Sequence, residues 1–324
     1  MDSNQHQPDS RTFLDYLGLV ARGFAMGSSD IVPGVSGGTM ALILGIYEEL
    51  INSIKALLNR DAIKLALRFK FGQALALVPW KFLASVAIGM FLAVFTMSWF
   101  LEWVLEHYAS LLWAFFFGLV VASIWTISRQ IKRWGVVPIV GTVVGAVGTY
   151  LLVGLVPDQT PNTWWFLILC GAIAISAMVL PGVSGSFMLV LLGKYEYLLN
   201  AVTELDIFTL FMVIVGAAVG IVSVAQLLSW LFKKYHDGTV AILMGMLIGS
   251  LRKVWPWKMT LEMMIDRHGK EVPIREANIL PATWSWEVVV ALLLALSGFA
   301  LIFVITLWAT RKEQAAEQEQ ADSV

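Results

Sequence analysis

The chain has 324 residues, of which 58% are hydrophobic and only 14% charged, with a net charge of −1. A mean hydropathy of +0.77 is too high for a soluble protein of this size, and the near-neutral charge supplies no basic field for nucleic acid. One cysteine, Cys170, and four dispersed histidines, His6, His107, His236 and His268, leave no intrachain disulfide and no cysteine- or histidine-based metal centre.

Residues 1–10 are polar, carry no signal-peptide pattern and are expected to be disordered. From about Thr12 to Phe24, residues Phe13, Leu17, Val20 and Phe24 recur at near-helical spacing among Arg11, Asp15 and Arg22. This predicts a helix at the membrane surface that leads inward. It runs into PGVSGGT, which begins at Pro33, and the hairpin around that motif covers about 21–58, with an apolar exit helix to about Leu58. A basic stretch follows, with Lys55, Arg60, Lys64, Arg68, Lys70 and Lys81. Apolar spans at about 82–106, 110–128 and 135–156 then complete a first half, 11–156. The turn-rich PDQTPNT, starting at Pro157, connects to a second half, 163–310, with a hairpin at about 163–203 and spans at about 207–232, 238–255 and 286–309. Residues 311–324 are a polar tail, expected to be disordered and cytoplasmic. Continuous apolar runs of roughly 18 residues suit helices that cross a bilayer core of about 30 Å, and they lack the alternation of a transmembrane barrel.

The two hairpins are versions of one sequence. PGVSGGTMALILGIYEELINSI from Pro33 returns as PGVSGSFMLVLLGKYEYLLNAV from Pro181, 148 positions on, with twelve of the first twenty residues identical. Beyond the motif, Gly89, Trp103, Tyr108, Gly118 and Ser123 match Gly216, Trp230, Tyr235, Gly245 and Ser250 at an offset of 127. The offset shrinks by the extra length of the first half's basic loop. Proline and three glycines argue against a continuous helix through the motif. Irregular backbone at membrane depth must be buried by protein or line a wet cavity. The predicted fold is an all-α integral membrane protein of two repeats, each a re-entrant helical hairpin plus about three transmembrane helices. An odd number of crossings per half makes the repeats inverted. With both termini cytoplasmic, 15 of the 22 Lys and Arg residues fall inside and 7 outside, six of them in the loop near 252–285.

Each turn starts a helix, and a helix N-terminus with free N–H groups attracts anions. Glycines let a ligand approach the backbone. Gly34, Ser36, Gly37, Gly38 and Thr39 from one turn, with Gly182, Ser184, Gly185 and Ser186 from the other, are therefore the candidate phosphate-binding residues. Small residues that let helices pack closely are the alternative reading. Arg22 and Arg252 could draw in the anion, or simply snorkel to lipid headgroups. Asp30, whose counterpart is Met178, is a coupling or gating candidate, with a helix-cap role as the alternative. Glu48 and Glu196, paired by the repeat, are further coupling or gating candidates or else solvated helix ends. A coupling cation, Na+ or H+, is the one cofactor these acids would serve, and no metal site is expected. Tryptophans at Trp99, Trp103, Trp164, Trp165, Trp255, Trp257, Trp284 and Trp286 suit interfacial anchoring. No GxxxxGK[ST], HExxH or GxSxG pattern occurs.

The stretches SSDIVPGVSGGTMALILGIYEELI and SAMVLPGVSGSFMLVLLGKYEYLL resemble the bacterial polyprenyl-phosphate translocase family of the PopT kind, and the likeness extends over about 12–310. The resemblance implies a non-enzymatic lipid flippase in the bacterial cytoplasmic membrane. Its substrate would be undecaprenyl phosphate, the lipid carrier of cell-wall building blocks, returned from the outer to the inner leaflet by alternating access. The turn chemistry alone would equally serve a transporter or channel for a small soluble anion. A membrane enzyme acting on prenyl phosphates is a further alternative.

Overall fold

The computed structural model describes residues 11–31, 36–57, 60–155, 160–265, 271–281 and 283–322. Residues 1–10, Pro33, Gly34 and the start of the connection at Pro157 lie outside them. The first half contains α1 (Phe13–Ile31), α2 (Gly37–Ile43), α3 (Tyr47–Leu57), α4 (Arg60–Leu67), α5 (Phe71–Ala76), α6 (Trp80–Ser128) and α7 (Val136–Leu152). The second contains α8 (Trp164–Val179), α9 (Gly185–Leu191), α10 (Tyr195–Thr203), α11 (Ile207–Lys234), α12 (His236–Ser250), the strands β1 (Lys258–Ile265) and β2 (Glu271–Asn278), and α13 (Trp286–Asp322).

Among the described residues, four stretches are long and apolar enough to cross a membrane: Trp80–Leu101, Trp103–Ser128, Ile207–Lys234 and Trp286–Leu307. The apolar helices α7 and α8 are shorter, at 17 and 16 residues. At 15 residues α12 is shorter still, or about 22 Å at helical rise. The chain is thus a multi-pass helical membrane protein.

The structure corrects four sequence expectations. The surface helix and the first hairpin arm are one helix, α1, with Leu19, Gly23, Met26 and Gly27 buried along one face. Gly23 and Gly27 lie against the backbone of α6 at Val86 and Met90, so α1 packs closely along α6. The exit arms are not continuous: each breaks at a glycine in the left-handed region, Gly45 (φ 71°) and Gly193 (φ 62°). Such a conformation disfavours any side chain, and the two breaks are 148 residues apart, as the repeat demands. The long loop near 252–285 contains an antiparallel hairpin, paired from Lys258↔Asn278 to Ile265↔Glu271. Its signal was present, because Lys258, Thr260 and Glu262 alternate with Met259, Leu261 and Met263. The tail is not structureless throughout, since α13 continues to Asp322.

The halves repeat one another in packing as well as in sequence. The long helix α6 kinks at Tyr108 (φ −139°, ψ 39°). Its counterpart Tyr235 (φ −137°, ψ 52°) separates α11 from α12. Gly89 lies on the Val20 carbonyl and Gly216 on the Ile168 carbonyl; Gly23 lies on Val86 and Gly171 on Val213. Every residue in these contacts maps onto its partner at the offsets of 148 and 127. The last helix of each half crosses to the other half. Gly145 of α7 meets Ile242 of α12, while Gly298 of α13 meets Phe115 of α6. Both contacts put backbone on backbone, the small-residue packing that membrane helices use.

Gly216→Leu tests this packing. A Cβ there would strike the Ile168 carbonyl, and overpacking of this kind costs on the order of 1–3 kcal/mol. A clear fall in melting temperature of the purified protein is expected. Gly72→Ala, which meets open space, should leave it unchanged.

Candidate functional site

The repeated turns meet each other. Ser36 caps α2 with extended backbone (φ −125°, ψ 139°), and its Oγ accepts from Gly38 N–H. The same hydroxyl donates to the Met178 carbonyl at 3.0 Å, across to the second half. Gly182 N–H donates back to Thr39 Oγ1 at 2.9 Å. Tyr47 O–H donates to the Val179 carbonyl at 3.2 Å. Ser36, Thr39 and Tyr47 are all buried. Gly38 completes the junction: a Cβ there would lie 3.0 Å from the Met178 carbonyl oxygen and closer still to that of Val179.

The first turn already has an acidic partner, and that partner is its own. Gly37 N–H donates to Asp30 Oδ1 at 2.5 Å, so the Asp30 carboxylate occupies the N-terminus of α2, where negative charge is favoured. Its other oxygen, Oδ2, and the Ser28 hydroxyl are buried with no hydrogen-bond partner among the described residues. A buried polar atom without a partner is costly, which marks this corner as a place where a proton, cation or water belongs. The second turn differs. Ser184 caps α9 without a side-chain bond to its backbone, and its hydroxyl pairs with that of Ser186 at 2.8 Å. Gly182 (φ 84°) turns the chain against the Met246 carbonyl, and Gly185 lies on the Ala174 carbonyl. Amides expected to be open are thus in use: those of Gly37, Gly38 and Gly182 all have partners. For Gly37 and Gly38 the partners are local, Asp30 and Ser36, whereas Gly182 finds Thr39 across the junction.

The pattern of the undecaprenyl phosphate translocase-like family matches residues 26–272, which include both turns. The chain belongs to that family. It is 34% identical over 304 residues to the polyprenyl-phosphate transporter of Vibrio cholerae serotype O1, covering 92% of this chain and 98% of that protein. It is 29% identical over 261 residues to the polyprenyl-phosphate transporter of Staphylococcus aureus, covering 73% of this chain and 85% of that one. No solved structure matches it.

The other sequence candidates scatter. Arg22 is half-buried on α1, eight residues before Asp30, or about 12 Å along the helix. Arg252 follows α12, donates to the Tyr150 carbonyl at 3.0 Å and stacks on the Tyr150 ring at 4.5 Å. Glu48 pairs with His236 at 3.0 Å, both about half exposed, a contact worth little in stability. Glu196 is half-buried in the first turn of α10. Among the described residues, no group of three or more His, Cys, Asp or Glu could hold a metal ion.

Sequence reasoning missed two features. Lys194 is buried and donates to the Thr160 carbonyl at 2.6 Å, beneath the rings of Phe166 and Tyr197. The repeat flagged it, since its counterpart is the apolar Ile46. Tyr47 is the second, a buried phenol whose counterpart Tyr195 is 39% exposed. Both break the repeat's symmetry: a comparison of mismatches would have found Lys194, whereas Tyr47 matches Tyr195 in sequence and differs from it only in burial.

Proposed function

We propose that this chain carries polyprenyl phosphate across the membrane by alternating access between two inverted repeats, returning the undecaprenyl-phosphate carrier from the outer to the inner leaflet of the bacterial cytoplasmic membrane. The family and both relatives support the substrate. The mechanism rests on one observation: the duplicated turns of the two halves bond to each other through Ser36, Thr39 and Gly182.

Each hairpin closes on its own end, as a re-entrant loop would. Arg11, before α1, pairs with Glu49 at the start of α3 at 2.7 Å. Lys194, before α10, reaches back to Thr160, before α8. Other contacts sort the same way. Lys55–Ser229, Glu48–His236 and Arg133–Asp237 gather with the first hairpin's mouth. Arg252–Tyr150 and Lys253–Glu276 gather with the second's. The junction is one-sided: Ser36 reaches Met178, whereas its counterpart Ser184 turns to Ser186. Inverted repeats that alternate access occupy two unlike end states, and this asymmetry supports reading the present arrangement as one of them.

In this reading the substrate phosphate replaces the internal anion. Asp30 lets go of Gly37 when it takes up H+ or Na+. Gly34, Ser36, Gly37, Gly38 and Thr39 then present donors to the headgroup, opposite Gly182, Ser184, Gly185 and Ser186. Arg22 and Arg252 draw the charge in from the two ends, Glu48 and Glu196 gate the hairpin mouths, and the prenyl chain stays in lipid.

The test is reconstitution of the full chain in liposomes carrying polyprenyl phosphate, with a membrane-impermeant phosphatase reporting the lipid exposed outside. Protein-dependent exchange between leaflets is expected. Flux of inorganic phosphate without lipid movement would replace this reading with a soluble-anion transporter. Phosphate released before phosphatase is added would make the protein an enzyme.

A further inference from the structure

Beyond the turns, a second feature is built for anions. A cavity of about 110 Å³ lies between the end of α7, the end of α12 and the β-hairpin, and its lining includes Arg252, Lys253, Lys258, Arg275, Glu276 and Phe187. That space exceeds several water molecules, each needing roughly 10–15 Å³ on this measure. Among the described residues, four cations face it against one carboxylate. Glu276 is shared between Lys253 at 3.4 Å and Lys258 at 3.3 Å, and Arg275 meets the exposed Glu262 at 3.3 Å.

Three of the cations also rest on groups that carry no opposing charge. Arg252 rests on the Tyr150 ring and carbonyl, and Lys258 sits 4.4 Å over the Trp113 ring. Lys253 sits 5.7 Å over the Phe187 ring. Ring faces and carbonyls orient a cation while leaving its charge available. Burial pulls the Lys258 ammonium down to about 8, against the pull of Glu276 and with Lys253 adding repulsion, as expected of a cation short of counter-charge. The position is equally specific. Phe187 directly follows Ser186, and Gly182 packs against Ser250 at the end of α12, two residues before Arg252. Beside the cavity, Met259, Leu261 and Met263 leave β1 with an exposed apolar face. These same basic residues supply most of the cations that the sequence places on the outer side, against the usual bias.

We propose that this cavity docks a phosphate monoester at the mouth of the second hairpin, receiving the lipid headgroup before it passes to Ser184 and Ser186, with β1 lying along the lipid tail. The proposal deepens the translocase reading and rests on it for the lipid. Lys253 and Arg275 are the residues to change, because both are partly exposed and neither belongs to the turns.

The full chain in detergent is titrated with a short-chain polyprenyl phosphate, the matching neutral prenol and inorganic phosphate, for the native protein and for Lys253→Gln/Arg275→Gln. Melting temperature confirms that the variant is folded, and Lys64→Gln, at an exposed site elsewhere, is the control. Two charge-assisted contacts are lost, so the variant should bind the lipid phosphate at least about tenfold more weakly. Its binding should also respond less to salt than the native protein's. The prenol should bind neither protein measurably. Inorganic phosphate competing as well as the lipid would assign the site to free phosphate and overturn the docking role. Unchanged lipid affinity and salt dependence in the variant would overturn the site. The liposome assay separates this from the translocase reading: full transport with unaltered affinity in the variant leaves that reading intact, whereas lipid binding without transport in the native chain removes it.

Discussion

Gly38→Val is expected to stop carrier return while the protein still reaches the membrane. Gly38 sits where α2 meets the carbonyls of Met178 and Val179, with no room for a Cβ. A branched side chain must push the two turns apart, breaking the Ser36–Met178 and Thr39–Gly182 hydrogen bonds. Each bond is worth roughly 1 kcal/mol net, and a buried group left unpaired costs about 1–3 kcal/mol. Helix packing elsewhere does not depend on this contact, because α1 is held by α6 and α8 by α11 through Gly23, Gly89, Gly171 and Gly216. Insertion and oligomeric behaviour in detergent should therefore be native, while leaflet exchange in liposomes falls more than about tenfold. The control is Gly72→Val, where a side chain meets open space, and it should leave exchange unchanged. Native transport by Gly38→Val would mean that the turns need not touch, and the proposed mechanism would fail.

What the sequence could and could not disclose follows from the physics of each feature. The repeat was legible because the residues that enforce close backbone approach, Gly89 and Gly216 among them, are the ones that matched. The Tyr108 and Tyr235 breaks were marked in the same way, as a matched pair, but nothing in the residues said that they were kinks. Break points at Gly45 and Gly193 were hidden inside long apolar runs, where hydropathy continues across a turn of the backbone. The exchange of α7 and α13 between halves could not be read, because packing partners in lipid are chosen by shape rather than by hydrophobic pattern. The turns were recognised as special, yet their donors are spent on neighbours. Which amide meets which acceptor depends on three-dimensional positions such as that of Thr39, 143 residues from Gly182.

Asp30→Asn should separate transport from the gradient that drives it. Asp30 holds Gly37 N–H with a charged oxygen at 2.5 Å, and a charge-assisted bond is roughly twice as strong as a neutral one. Asparagine keeps an oxygen for Gly37 but has no charge and no site for a proton or cation. The first turn of such a variant is as loosely held at every pH and every Na+ concentration as the native turn is after Asp30 has been neutralised. Leaflet exchange should persist in the variant and lose its response to an imposed pH or Na+ gradient, whereas the native protein responds to one of the two. A pure capping role predicts otherwise. Asp30→Asn would then keep the native gradient response, and Asp30→Ala would cost about 0.5–2 kcal/mol of stability, as for other lost helix caps. The unpartnered Oδ2 favours the coupling role, because a cap that served only α2 would gain nothing from a second buried oxygen left without a donor.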